Sequence, residues 1–348
     1  MSELLPFNRF KPENLKISNP VRKLHHIFED ADCYALWSAY AAGRPLLVRG
    51  KPGTGKSQMA RAIAEQLGWA FVAETVRGST ELSDLHWHFD AIGRLGEAQS
   101  LAVAKDPDLN KLDPPNFLSP GAFWWAYHWP TAEAQYQRCH TRTAPKPYCP
   151  EGWHQDTGGV VLLLDEIDKA EPDLPNGLLE TLGEYRFTVP YVDAHEQAVN
   201  PVQAQPKKVL VIITTNEERE LPKAFVRRCF VHNLKMEESP ETIDVGDEQT
   251  LPKRLHWLME RGRLHFGKTI AQPVYKQAAE LLWRDRDDNP HTQYPPGLAE
   301  YIDLLQALSS LSHAEQTQRL EKISQYALKK DLHDPAFSPG LPQRFPSA

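Results

Sequence analysis

The segment Gly50-Lys51-Pro52-Gly53-Thr54-Gly55-Lys56-Ser57 combines glycines, a lysine and a hydroxyl in the order Gly-x-x-Gly-x-Gly-Lys-Ser. Glycines let a backbone wrap phosphate oxygens and aim its N–H groups at them, and a helix N-terminus adds positive potential at the same place. In this P-loop pattern Lys56 reaches the β- and γ-phosphates of a nucleotide and the Ser57 hydroxyl coordinates Mg2+. The expected nucleotide-binding set is Gly50, Pro52, Gly53, Thr54, Gly55, Lys56 and Ser57, with Gln58 next to them. A glycine turn that binds nothing is the alternative. It leaves unexplained the strand-like run before the loop and the helical periodicity after it.

A second candidate is Val160-Val161-Leu162-Leu163-Leu164-Asp165-Glu166, an apolar strand ending in two carboxylates. Open parallel sheets present their ligands at strand C-termini. Here Asp165 would hold Mg2+ together with Ser57, and Glu166 would orient the water that attacks the γ-phosphate, a Walker B arrangement. An Asp-Glu pair can also simply cap a helix, but Pro172 and Asp173 stand where such a cap would serve. Asn216 closes the apolar run Val211-Ile212-Ile213-Thr214-Thr215 and could hydrogen-bond that water or the γ-phosphate. Alone, an Asn at a strand end is more often a turn residue. Finally, Leu221-Pro222-Lys223-Ala224-Phe225-Val226-Arg227-Arg228-Cys229 offers two arginines at the end of a short helix. One of them, Arg228 or Arg227, could act as an arginine finger supplied in trans, although paired arginines on a helix usually just face solvent.

These groups need a scaffold. A helix from Asp32, carrying Leu36, Ala39 and Tyr40 at helical spacing, ends at Gly43 ahead of the strand Leu46-Leu47-Val48. Ser57 to Leu67 repeats Met59, Ala60, Ile63, Ala64 and Leu67 as a second helix. Further strands are expected at Phe71-Val72-Ala73, Val160 to Leu164 and Val209 to Thr215. Uniformly apolar strands separated by helices indicate an α/β fold whose parallel sheet is buried on both faces. Between the second and third strands, about 105 to 156, lies a proline- and tryptophan-rich insertion with Trp124, Trp125, Trp129 and Trp153. It reads as a satellite core under a long loop in preference to a partner surface. Arg186 to Val192 could form one arm of a hairpin, followed by a polar loop from Asp193 to Pro206. After about Ser239 no further strong strand is expected, while Leu255 to Leu264, Val274 to Trp283, Leu298 to Leu311 and Ala314 to Leu328 all read as helices.

The domain plan is therefore an arm at 1–20, a nucleotide-binding core at 21–240, an all-helical lid at 241–330 and a loose tail at 331–348. The 348 residues are 41% apolar and 24% charged, which suits a globular chain with a sizeable core. No apolar run approaches a membrane span and no signal-peptide pattern opens the chain, so a cytoplasmic protein is expected. A net charge of -7 argues against a nucleic-acid partner and for a protein one. Four cysteines make no disulfide framework. Cys139, His140, Cys149 and His154 are acceptable zinc ligands, but their spacing fits an irregular loop better.

Taken in order, these elements resemble the AAA+ family, and their wording is similar to its MoxR-like branch. The resemblance covers most of the chain. It is carried by Gly43-Arg44-Pro45-Leu46-Leu47-Val48, by Leu164-Asp165-Glu166-Ile167-Asp168-Lys169-Ala170 with Asn176-Gly177-Leu178-Leu179-Glu180, and by Leu221-Pro222-x-Ala224-Phe225-x-x-Arg228. The resemblance implies a P-loop AAA+ αβα core with a C-terminal helical lid, ATP and Mg2+ as cofactors, nucleotide-dependent hexamers, and Asn216 as sensor 1. It places Arg228 at the finger position, with Arg227 second. It also implies pore- or client-facing insertions around Thr75 to Gly96 and Arg186 to Val192, and a partner that could carry a von Willebrand A domain. One departure stands out: Tyr294-Pro295-Pro296-Gly297-Leu298-Ala299-Glu300 has no basic residue where many relatives place sensor 2. The expected function is an ATPase that remodels a protein partner as an oligomeric ring. A slow ATP-dependent switch or scaffold would use the same residues, a small-molecule P-loop kinase would need no trans arginine, and the phosphate loop does not distinguish GTP from ATP.

Overall fold

The candidate residues sit just beyond strand ends, so the sheet that presents them decides their geometry. The computed structural model describes residues 25–140, 144–191, 201–246, 250–290, 292 and 294–329. The expected arm at 1–20, the tail at 331–348 and residues 193–200 of the polar loop lie outside these residues. The chain divides near Leu234 into two compact units.

The first unit is built on one five-stranded parallel sheet. Its strands are β1 (Leu46–Arg49), β2 (Ala70–Thr75), β3 (Val160–Asp165), β4 (Val209–Thr215) and β5 (Phe230–Asn233), in the order β2-β3-β4-β1-β5. β4 is buried along its whole length and β3 through Leu164, which is why both read as unbroken apolar runs. β5 was not expected. It is an edge strand in which half-buried Phe230 and His232 alternate with exposed Val231 and Asn233, and so short a pattern leaves no apolar run to find. Register sets the site: Val48 lies opposite Thr214 and Arg49 opposite Thr215, while Leu164 lies opposite Ile213. The chain ends of β1, β3 and β4 therefore converge at the carboxyl edge of the sheet, where open α/β sheets bind ligands.

Helices at Asp30–Ala42 and Lys56–Leu67 flank β1 in sequence. The first is opened by Asp32, whose carboxylate accepts the Glu29 N–H at 2.8 Å, and closed by Gly43 in the left-handed conformation (φ 60°). The helix Asp173–Glu184 follows β3. Arg186–Phe187 pairs antiparallel with Val202–Gln203, a hairpin whose strands span only two residues each.

The aromatic insertion is neither a satellite nor a surface. Its helix Ala122–Tyr127 is buried at every residue, and Trp124, Trp125 and Trp129 keep 2%, 4% and 4% of their surface. They belong to the same apolar cluster as Val72, Leu162 and Ile213 of the sheet. Trp153 packs against that cluster while partly exposed. The segment around Thr75 to Gly96 holds the helix Leu82–His86, then Trp87–Phe89, which pairs antiparallel with Leu118–Pro120, then the helix Ala91–Ala102.

In the second unit, helices Lys253–Phe266, Gln272–Asp288, Leu298–Leu308 and His313–Leu328 enclose a core that includes Leu258, Tyr275, Leu282 and Leu304. Gly262 is required by close approach: a Cβ there would stand 2.8 Å from Leu305 and 3.0 Å from Tyr275 and Tyr301. Thr242–Asp244 and Thr250–Pro252 form an antiparallel ribbon, an addition to the expected all-helical lid. Three-residue strands around a short loop carry too little periodicity to show in sequence. No helix among the described residues is long and apolar enough to cross a membrane.

Candidate nucleotide site

The glycine loop joins β1 to the N-terminus of the helix Lys56–Leu67. Gly53 and Gly55 take φ of 76° and 95°, values that L side chains rarely adopt, so the loop can turn back over the helix end. Lys56 is buried, and its ammonium donates to the carbonyls of Gly50 (2.7 Å) and Lys51 (3.0 Å) and to Asn216 Oδ1 (2.7 Å). Burial pulls its pKa below the ordinary lysine value, and the carboxylates of Asp165, Asp168, Glu166 and Glu217 oppose that fall.

Ser57 Oγ donates to Asp165, 2.7 Å from Oδ1 and 2.9 Å from Oδ2. Thr214 Oγ1, from the adjoining strand, donates to Asp165 Oδ1 at 2.5 Å. Glu166 follows in the left-handed conformation, φ 60° and ψ 48°, which costs a non-glycine residue about 1 kcal/mol. That turn points its N–H at Thr214 Oγ1 (2.9 Å). The Glu166 carboxylate is held at both oxygens: Asn216 Nδ2 donates to Oε1 at 3.2 Å, and Lys169 Nζ to Oε2 at 2.7 Å. The hydrogen bond and charge of Glu166 raise the Lys169 pKa. Asn216 thus bridges Lys56 and Glu166 with the two ends of one amide.

Lys56 and Ser57, Asp165 and Glu166, and Asn216, three places far apart in sequence, are gathered with Thr214 into one hydrogen-bonded cluster. Gln58 sits one residue beyond it, half-buried, with its Nε2 lacking a partner among the described residues. Arg227 and Arg228 are placed elsewhere. Both are exposed at the end of the short helix Lys223–Val226, which fully buried Phe225 pins to the core. Arg227, with Arg49, Thr215, Glu217 and Lys223, lines a cavity of about 490 Å³ beside the cluster, across which Arg49 and Glu217 approach to 3.6 Å.

Cys139, His140, Cys149 and His154 are not gathered: Cys139 is buried with its Sγ on the Tyr136 carbonyl, while the His140 ring packs edge-on against Phe117. Among the described residues no group of three His, Cys, Asp or Glu is placed to hold a metal ion. Mg2+ takes one or two protein oxygens and completes its shell with water and phosphate. A hydroxyl and a carboxylate in contact at the helix start, beside a buried ammonium, fit a Mg-nucleotide.

Sequence reasoning missed Thr214, Asp168 and Lys169. Asp168 and Lys169 stand in the run Leu164 to Ala170 without an expected role, and in sequence Thr214 reads only as strand. The hydroxyl following five consecutive apolar residues in a fully buried strand is the available signal.

Fold and cluster together define a P-loop nucleotide-binding protein. Residues 45–229, more than half of the chain, match the family described as AAA domain (dynein-related subfamily), and the chain belongs to that family of AAA+ ATPases. A curated relative, the mitochondrial Lon protease homolog of Phaeodactylum tricornutum, is 24% identical over 269 residues, 75% of this chain. The aligned part spans only 23% of that protein's length. Among solved structures, a mutant RuvB of Thermotoga maritima is 12% identical with a TM-score of 0.42, covering 84% of this chain and 68% of its own. A putative ATPase from Cytophaga hutchinsonii is 14% identical with a TM-score of 0.33, covering 85% and 79%.

Proposed function

We propose that this protein binds ATP with Mg2+ and hydrolyses it as a MoxR-like AAA+ ring, using the cycle to remodel or activate a protein partner. The observation that carries the reading is the single cluster in which Asn216 joins Lys56 to Glu166 while Ser57 meets Asp165. In it, Gly50, Pro52, Gly53, Thr54, Gly55 and Gln58 line the phosphate loop, Lys56 neutralises the terminal phosphates, and Ser57 and Asp165 hold the metal. The bound Mg-nucleotide supplies the phosphoryl group and the cation that offsets its charge. Glu166 orients the attacking water, and Asn216 holds the Glu166 carboxylate toward it.

Arg227 and Arg228 stand exposed, as a finger offered to a neighbouring subunit must. That exposure supports Arg228 as the finger of a hexameric ring, and the same proposal takes a core of 21–240, a lid of 241–330 and a cytoplasmic setting. A protein partner, for which a von Willebrand A domain is one candidate, follows from the MoxR-like wording. A slow switch or scaffold is the second reading. It is favoured by Lys169 on Glu166 Oε2, which draws the carboxylate away from the water, and by the absence of a basic residue in Tyr294 to Glu300.

The deciding experiment measures phosphate release from ATP across protein concentration, with sedimentation of the same samples. Activity is expected to rise with assembly, and Arg228→Ala to bind ATP without hydrolysing it. Equal turnover by a dilute monomer, or an unaffected Arg228→Ala, overturns the shared site. A partner response that persists with ATP-locked Glu166→Gln favours the switch.

A further inference from the structure

Asp168 lies two residues after Glu166, on the one-turn 3-10 helix Ile167–Lys169, and retains only 2% of its surface. A buried carboxylate is costly unless hydrogen bonds satisfy it. Its Oδ2 accepts two backbone N–H groups from across the sheet edge, Asn216 at 3.1 Å and Glu218 at 2.9 Å. Its Oδ1 has no partner among the described residues. Between the two donors stands Glu217 with φ of 62°, a left-handed kink that turns both N–H groups toward one oxygen. The Thr215 hydroxyl accepts the Glu217 N–H at 2.9 Å and closes the same turn.

The turn carries Asn216, whose amide must face two ways at once, Oδ1 to Lys56 and Nδ2 to Glu166. A side chain at a strand end has no ladder to hold it once the strand stops. Two charge-assisted bonds to a buried carboxylate supply that hold, and they do so from the rigid turn that also bears Glu166. We propose that Asp168 is a positioning residue for Asn216: it pegs the loop after β4 to the turn after β3, so that Asn216 distinguishes a nucleotide with a γ-phosphate from one without. This rests on the reading of Asn216 as the residue facing the terminal phosphate.

The readout is the ratio of equilibrium affinities for ATPγS and ADP, both with Mg2+, which does not depend on turnover. Asn216→Ala is expected to lower the preference for ATPγS by about tenfold, and Asp168→Ala by a similar factor. In the double variant, Asp168→Ala should add less than about twofold, because the residue it acts through is already gone. Asp168→Asn keeps an oxygen acceptor for the two N–H groups and should stay within about threefold of wild type. A purely structural role would lower the melting temperature in both backgrounds and leave the ratio unchanged. That result, or an equal effect of Asp168→Ala with and without Asn216, overturns the proposal. Should Asp168→Ala not fold, Asp168→Ser runs the same cycle with its acceptor out of reach. A wild type that keeps the ATPγS preference but releases no phosphate removes the ATPase reading and leaves this cycle readable.

Discussion

The nucleotide cluster and the aromatic insertion share one sheet, yet they are held by opposite means. The cluster is polar and is positioned by directed bonds at strand ends, where Lys56, Asp165, Glu166 and Asn216 each have a named partner. The insertion is apolar and is positioned by burial, with Phe123, Trp124, Trp125 and Tyr127 closed into the core that also holds β2, β3 and β4. A substitution in the first should therefore change chemistry with little loss of stability. In the second it should do the reverse.

Glu166→Gln should give the largest effect. The amide preserves size but not charge, so phosphate release should fall about a thousandfold, about 4 kcal/mol in barrier, while the melting temperature holds. Phosphate release and thermal melts on the same preparation check both halves. A variant that also melts early would show that the cluster carries fold stability, and the comparison would lose its edge. Trp125→Ala comes next. It removes an indole with 4% exposure and should cost about 3–4 kcal/mol of unfolding free energy in urea titration. ATP affinity of the fraction still folded should be unchanged.

The contrast also explains what could be read without coordinates. The P-loop and the Asp165-Glu166 pair are local: a few adjacent residues of special type, placed after an apolar run, suffice for both chemistry and position. Asn216 is legible only because β4 before it is so uniformly apolar. The tryptophans carry no such grammar. Whether Trp125 faces solvent, a satellite core or the main core depends on contacts with Trp129 and Tyr136 and on the sheet below, none of which periodicity encodes. β5 escaped for a related reason, since an edge strand of four residues with half its side chains exposed shows neither run nor stripe.

His86, on the helix Leu82–His86 and edge-on to Phe123 of the insertion, should make stability pH-dependent. It is buried, stacked on Phe187 at 4.3 Å, with Nε2 2.9 Å from Thr181 Oγ1, and burial lowers its pKa from 6.5 to about 4. The folded state resists the proton and the unfolded state accepts it below pH 6.5. The stability conferred by the neutral ring is thus complete above about 6.5 and declines as pH falls toward 4. The full span is about 3 kcal/mol. Urea titrations at pH 7.5 and 4.5 should show a smaller drop for His86→Phe than for wild type. An equal drop would mean that the ring is not kept neutral by the fold.

The smallest expected effect tests the one place where the two regions meet. Thr181 lies on the helix Asp173–Glu184, the helix that follows the Glu166 turn, and two side chains grip it: His86 of the helix Leu82–His86 on its hydroxyl, and Tyr127 of the insertion, whose phenol donates to its carbonyl at 2.8 Å. Burial holds the Tyr127 phenol well above its ordinary pKa, so it remains a donor throughout the working range. Tyr127→Phe keeps the ring in the core and deletes only that bond. The loss should be about 1 kcal/mol, read as a shifted urea midpoint at unchanged slope. Phosphate release should not change if the insertion supports the site only by keeping that helix in place. A fall in turnover without a matching fall in stability would mean that Thr181 transmits position to Glu166, and the insertion would then belong to the catalytic apparatus as well as to the core.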